Sequence, residues 1–201
     1  TGKVDRVLDT VEGHSLRGPN DLVFDRHGNL YFTDLGKSFP RHRDVGGLFF
    51  LANGASEAVE LDHNHISPNG VGLSPDETTV YMADTMTARL WAFDLEQPGD
   101  AKQATPFNKG RVVAAMPSLQ YFDSLAVAAS GNICVATILK GGITTITPDG
   151  DHSHTAFPDP FVTNICFGGA DLGDAWVTLS GTGKLAKCRW SEPGLKLNYY
   201  L

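Results

Sequence analysis

The chain has 201 residues, including 22 glycines and 11 prolines, and 16 Lys+Arg against 23 Asp+Glu leave a formal charge of −7. That length suits one compact domain with a substantial core. The acidic balance argues against a nucleic-acid grip built on basic side chains, and no apolar run approaches the ~20 residues that cross a bilayer. The three cysteines, Cys134, Cys166 and Cys188, form no CxxC pair. They disfavour a disulfide scaffold or a thiolate zinc site and lean towards a reducing, cytoplasmic setting.

In chain order, residues 4–8 read as a strand, the outer edge of an earlier unit. Four related segments follow. The first runs Asn20-Asp-Leu-Val-Phe, a turn over 25–28, then Asn29-Leu-Tyr-Phe-Thr-Asp34. The second is Asn69-Gly-Val-Gly-Leu, a turn over 74–77, then Thr79-Val-Tyr-Met-Ala-Asp84. The third is Asp123-Ser-Leu-Ala-Val, a turn at Ser130-Gly131, then Asn132-Ile-Cys-Val-Ala-Thr137. The fourth is Thr163-Asn-Ile-Cys-Phe, a glycine-rich turn, then Ala175-Trp-Val-Thr178.

Apolar residues alternate in each segment, which is strand rather than helix spacing. Third strands follow at 47–51, 89–93, 142–147 and 184–188, and outer strands are expected near 58–61 and 154–157. The repeat starts lie 49, 54 and 40 residues apart, the period of a four-stranded propeller blade. The expected fold is therefore all-β: one partial β-propeller domain over 1–201, with units starting near 20, 69, 123 and 163. A β-sandwich competes, but it does not predict recurrence of whole strand–turn–strand patterns.

In a propeller the first strand of each blade lines the central channel, and these strands start at one end of the axis. Asn20, Asn69 and Asp123 open three successive inner strands. Amide and carboxylate oxygens are hard ligands suited to Ca²⁺, Mg²⁺ or Mn²⁺. Thr163, in the fourth unit, is a poor ligand. Asn and Asp also cap turns before strands, but three in matching register favour a shared site. Asp21 and Asp34 read as strand caps. The alternate histidines His63/His65 and His152/His154 fall on outer strands and read as solvated surface, while Phe49, Phe50 and Trp91 read as packing between blades. Ser180-Gly-Thr-Gly-Lys184 lacks the remaining phosphate-loop residues and reads as a turn.

These segments carry a resemblance. Pro19-Asn-Asp-Leu-Val with Leu30-Tyr-Phe-Thr-Asp34, Ser67-Pro-Asn-Gly-Val-Gly-Leu-Ser-Pro-Asp76, Phe122-Asp-Ser-Leu-Ala and Thr163-Asn-Ile-Cys-Phe-Gly-Gly-Ala-Asp171 together resemble the gluconolactonase and senescence marker protein (regucalcin) family. The resemblance implies a six-bladed propeller, of which about four blades lie in this chain. It further implies one divalent metal, foremost Ca²⁺ with Zn²⁺, Mn²⁺ or Mg²⁺ as alternatives, at the channel mouth. Asn20, Asn69 and Asp123 match three of the family's metal ligands. The fourth, a Glu in the family's first blade, has no equivalent here, and Glu12 does not open an inner strand. Arg17 is similar to the family's substrate-contacting arginine, offset by one residue, and Asn20 would also face substrate.

The implied activity is metal-dependent hydrolysis of a lactone or sugar lactone, with Asp123 as general base towards water. A phosphotriesterase or other esterase on the same fold, or a non-catalytic binding platform, are the alternatives, since fold alone does not fix chemistry. Neither nucleic-acid nor membrane partners are expected. Exposed blade faces would favour self-association.

Overall fold

The computed structural model describes residues 2–199, and all regular structure among them is β. A hairpin of β1 (Thr10–Val11) and β2 (His14–Ser15) precedes four antiparallel sheets. Blade one is β3 (Pro19–Phe24), β4 (Leu30–Asp34), β5 (Gly46–Leu51) and β6 (Val59–His65). Blade two is β7 (Pro68–Leu73), β8 (Thr79–Asp84) and β9 (Arg89–Gln97), with β10 (Asp100–Ala101) and β11 (Arg111–Ala115) both pairing to β9. Blade three is β12 (Tyr121–Val127), β13 (Ile133–Ile138), β14 (Gly142–Ile146) and β15 (His152–Ala156). Blade four is β16 (Val162–Gly168), β17 (Asp174–Leu179) and β18 (Lys184–Arg189).

The order of packing follows from which strands are apolar on both faces. β8 is buried along its whole length, and β4 and β13 nearly so, so each of these middle strands must be covered on two sides. One core cluster fills each interface between neighbouring blades. Tyr31, Leu48, Phe50, Val80, Met82 and Phe93 lie between blades one and two. Leu90, Phe122, Leu125, Ile133 and Ile146 lie between two and three, and Cys134, Ile143, Ile165 and Val177 between three and four. Packing blade on blade sets the inner strands β3, β7, β12 and β16 side by side. The outer face of blade one is covered by the hairpin, with Val11 and Leu8 against Phe32 and Phe49, which stack at 5.3 Å.

After β18 the chain turns beneath the inner strands. Leu195 N–H donates to Val127 O at 2.9 Å and Ala129 N–H to Pro193 O at 2.9 Å, fixing the tail to blade three. Asn198 Nδ2 then donates to Phe24 O at 3.0 Å and to Glu77 Oε1 at 2.6 Å, reaching blades one and two.

Two local expectations are corrected. Residues 4–8 form no strand: Val4 and Val7 are 93% and 72% exposed, and no edge among the described residues accepts their ladder bonds. His65 is buried rather than solvated, edge-on to Trp91 at 4.9 Å. Asn64 adopts φ +68° and the β5–β6 register shifts at Gly46/Gly47. Together they break the alternation that keeps His63 outside.

Candidate metal centre

Each inner strand carries one extra residue near its start. In β3, Pro19 pairs with Asp34 and Leu22 with Phe32, three steps against two. The same shift separates Pro68↔Asp84 from Val71↔Met82 in β7, and Phe122↔Thr137 from Leu125↔Val135 in β12. Such a bulge leaves a residue outside the ladder and re-aims its side chain. The first residues inside these bulges are Asn20, Asn69 and Asp123. In β16 the shift falls between Val162 and Asn164 and contains Thr163.

The strand starts are pinned by carboxylates. Asp34 accepts Arg17 N–H at 2.6 Å, Gly18 N–H at 2.7 Å and Gly36 N–H at 2.8 Å. Asp84 does the same in blade two, accepting Ser67 N–H at 3.0 Å and Thr87 N–H at 3.1 Å. Both are buried and act as caps that fix where the bulges begin. Thr33 ties one bulge to the next: its hydroxyl accepts Asp21 N–H at 3.2 Å and donates to Asn69 O at 2.6 Å. Gly70 lets β7 approach β12, because a Cβ there would sit 2.6 Å from Leu125 N and 2.8 Å from Asp123 O.

Asn69 is buried. Its Nδ2 donates to Thr85 Oγ1 at 3.0 Å, while its Oδ1 is sealed from solvent with no hydrogen-bond partner. A buried amide oxygen left bare costs roughly 1–3 kcal/mol. Across the β7–β12 interface stands Asp123. Burial pushes its carboxyl up to about 6; the Asn69 amide and the Ser124 N–H pull it down, and the Asp21 charge adds to the rise. Burial also raises Asp21, whose carboxylate accepts Leu22 N–H at 2.9 Å and Val71 N–H at 3.3 Å. Asn20 is exposed on the neighbouring strand.

The donor set suits a hard cation: amide oxygens at Asn20 and Asn69, one carboxylate at Asp123, and a buried oxygen without a partner. No group of three or more His, Cys, Asp or Glu among the described residues is arranged to hold a metal, so a centre here depends on the amides. Arg17 lines a cavity of about 370 Å³ with Asp34, Gly46 and Gly47 at the corresponding end of blade one, beside the hairpin. A separate cavity of about 450 Å³ runs along the inner strands from Asp21 to the tail, lined by Leu22, Val71, Leu125, Ile165 and Leu195.

Thr33, Gly70 and Thr85 are not singled out by the sequence pattern. Their contributions lie in contacts between blades and across a turn, which alternation of apolar residues does not encode.

The family model for the SMP-30/Gluconolactonase/LRE-like region matches residues 1–181. The chain belongs to this family. The gluconolactonase of Zymomonas mobilis is 29% identical over 81% of the chain and 48% of its own length. Lactonohydrolase oryL of Aspergillus oryzae is 26% identical over 99% of the chain and 49% of its own. The chain thus spans about half the length of these curated relatives. Among solved structures, the calcium-binding protein regucalcin of Agrobacterium tumefaciens superposes with a TM-score of 0.68 at 24% identity, covering 89% of this chain and 65% of that one. At that identity the likeness establishes the family's propeller fold for the four blades.

Proposed function

We propose that this chain carries the cation-holding side of a lactone hydrolase, with Asn20, Asn69 and Asp123 as ligands of one divalent metal, Ca²⁺ foremost. One observation carries the reading: the Asn69 amide, whose buried Oδ1 has no partner, reaches the Asp123 carboxylate that burial has raised, on matching bulges of adjacent strands. A nearby cation satisfies both groups. Family membership and relatives named gluconolactonase and lactonohydrolase support a lactone, or a sugar lactone, as substrate. The solved relative named as calcium-binding supports the metal.

A divalent cation at this place supplies Lewis acidity towards a lactone carbonyl and towards water. The chain's own groups do the rest. Asn20 and Asn69 are neutral, so they orient without cancelling positive charge. Asp123 takes a proton from the attacking water as its oxygen bonds to the carbonyl carbon. It returns the proton to the ring oxygen as the C–O bond breaks, giving the hydroxy acid. The exposed Asn20 amide hydrogen-bonds the substrate's oxygens, while Arg17 would reach them only from the neighbouring cavity beside the hairpin, which none of the three ligands lines.

The test is hydrolysis of glucono-δ-lactone followed with a pH indicator, in calcium and in chelator, for the chain and for Asp123→Asn. Calcium-dependent turnover that falls by roughly 10²-fold or more in the variant is expected. Turnover indifferent to chelator and to Asp123 contradicts the reading. A phosphotriester turned over in preference, with the same dependences, would move the substrate class and keep the site.

A further inference from the structure

The three bulges differ in what supports the residue they present. The position following the Asp34, Asp84 and Thr137 register partners is Leu35 in blade one, Thr85 in blade two and Ile138 in blade three. Blade two alone of these places a hydroxyl there, and that hydroxyl accepts Asn69 Nδ2–H at 3.0 Å. Its backbone is held on both sides: Thr85 N–H donates to Ser67 O at 2.9 Å, Met86 N–H to Ser67 Oγ at 2.7 Å and Thr87 N–H to Asp84 Oδ1 at 3.1 Å. Ser67 is itself bonded to both oxygens of Asp84. The Thr85 backbone is therefore held beside Asn69, which keeps its hydroxyl within reach of the amide.

An amide presents an acceptor on one edge and two donors on the other. For Asn69 to offer its oxygen to a cation, its buried N–H groups need an acceptor behind them, and an unmet one opposes that orientation. We propose that Thr85 is a positioning residue: it takes the Asn69 N–H and so leaves the amide oxygen free to ligate, making Asn69 a pre-organised ligand. This inference rests on the cation reading above and adds a residue that touches neither cation nor substrate. Groups that orient a metal ligand in this way typically alter affinity by about 10–100-fold when removed.

The test is calcium affinity by titration calorimetry on the whole chain, with thermal unfolding in chelator alongside, for wild type, Thr85→Val, Thr85→Ser and Thr85→Ala. Valine keeps the shape and removes the acceptor, so it binds roughly tenfold or more weakly. Serine keeps the acceptor and binds within about threefold of wild type. Alanine behaves as valine, and the alanine–serine contrast carries the test if valine impairs folding. Valine and alanine that bind like wild type, while Asp123→Asn loses binding, overturn the role of Thr85 and leave the cation site standing. Variants that lower only the melting temperature in chelator, with calcium affinity unchanged, overturn that role in the same way. A wild-type chain that binds no calcium overturns both.

Discussion

Asp123 is half-buried on a bulge, next to Asp21, and no lysine or arginine pairs with either among the described residues. Burial raises its carboxyl to about 6, above the ordinary aspartate value in the unfolded chain. A group raised on folding is better tolerated protonated. Its penalty is absent at a pH below the unfolded value, grows as pH rises towards the folded value, and is complete above it. Metal-free Asp123→Asn is therefore more stable than wild type at pH 7 by about 1–2 kcal/mol, discounted for partial exposure. The gain shrinks as pH falls towards ~4, near the ordinary aspartate range. Thermal unfolding in chelator checks the sign, and a variant less stable than wild type there removes the argument. Asn20, Asn69 and Asp123 are legible in the sequence because each opens a repeat. Thr85 is not, since a threonine 16 residues beyond Asn69 says nothing until the turn folds back, and Gly70 is explained only by a neighbouring backbone.

Among the elements, the tail after β18 adds a second tie between blades, bonding Val127 of blade three and reaching back to Phe24 and Glu77 of blades one and two. Its anchor is Glu77, which accepts from Asn198 at 2.6 Å and pairs with Arg26 Nε at 2.7 Å. Burial pushes Glu77 up, but the Asn198 and Arg26 donors outweigh it and hold the carboxyl below the usual glutamate range. A lowered value means the contribution is present above the unfolded value and lost as pH falls through the folded one. Glu77→Gln should loosen the tail by about 1 kcal/mol at pH 7, read as roughly fivefold faster hydrogen exchange at the Leu195 amide. The difference should fade in acid, where wild type loses the same charge. Exchange that is equal at pH 7 would mean that the backbone bonds to Val127 and Ala129, with the Asn198 side-chain bond to Phe24 O, suffice. The strands themselves are readable from alternation, and their outer members at 59–65 and 152–156 overlap the expected 58–61 and 154–157 with shifted ends. The bulges are fainter: in β12 the extra residue shows only as a three-residue step from Phe122 to Leu125 before alternation resumes at Val127, which a short strand pattern does not single out. Residues 4–8 look like a strand by pattern but have no partner edge among the described residues.

For the whole molecule, recurrence is the most informative feature of the sequence. Four units recur at near-blade spacing; three of them have middle strands apolar on both faces, which are buried only by stacking, and stacking brings the inner strands together at one axis. That geometry turns residues far apart in the chain into neighbours: Asp21 accepts from Val71, Thr33 donates to Asn69, and Asn69 lies against Asp123. Anomalous diffraction from crystals of this chain soaked in a calcium or terbium salt locates the cation directly. One strong peak is expected, bounded by the side-chain oxygens of Asn20, Asn69 and Asp123 and absent in Asp123→Asn. A peak lodged elsewhere, or one that survives the substitution, would contradict that assignment.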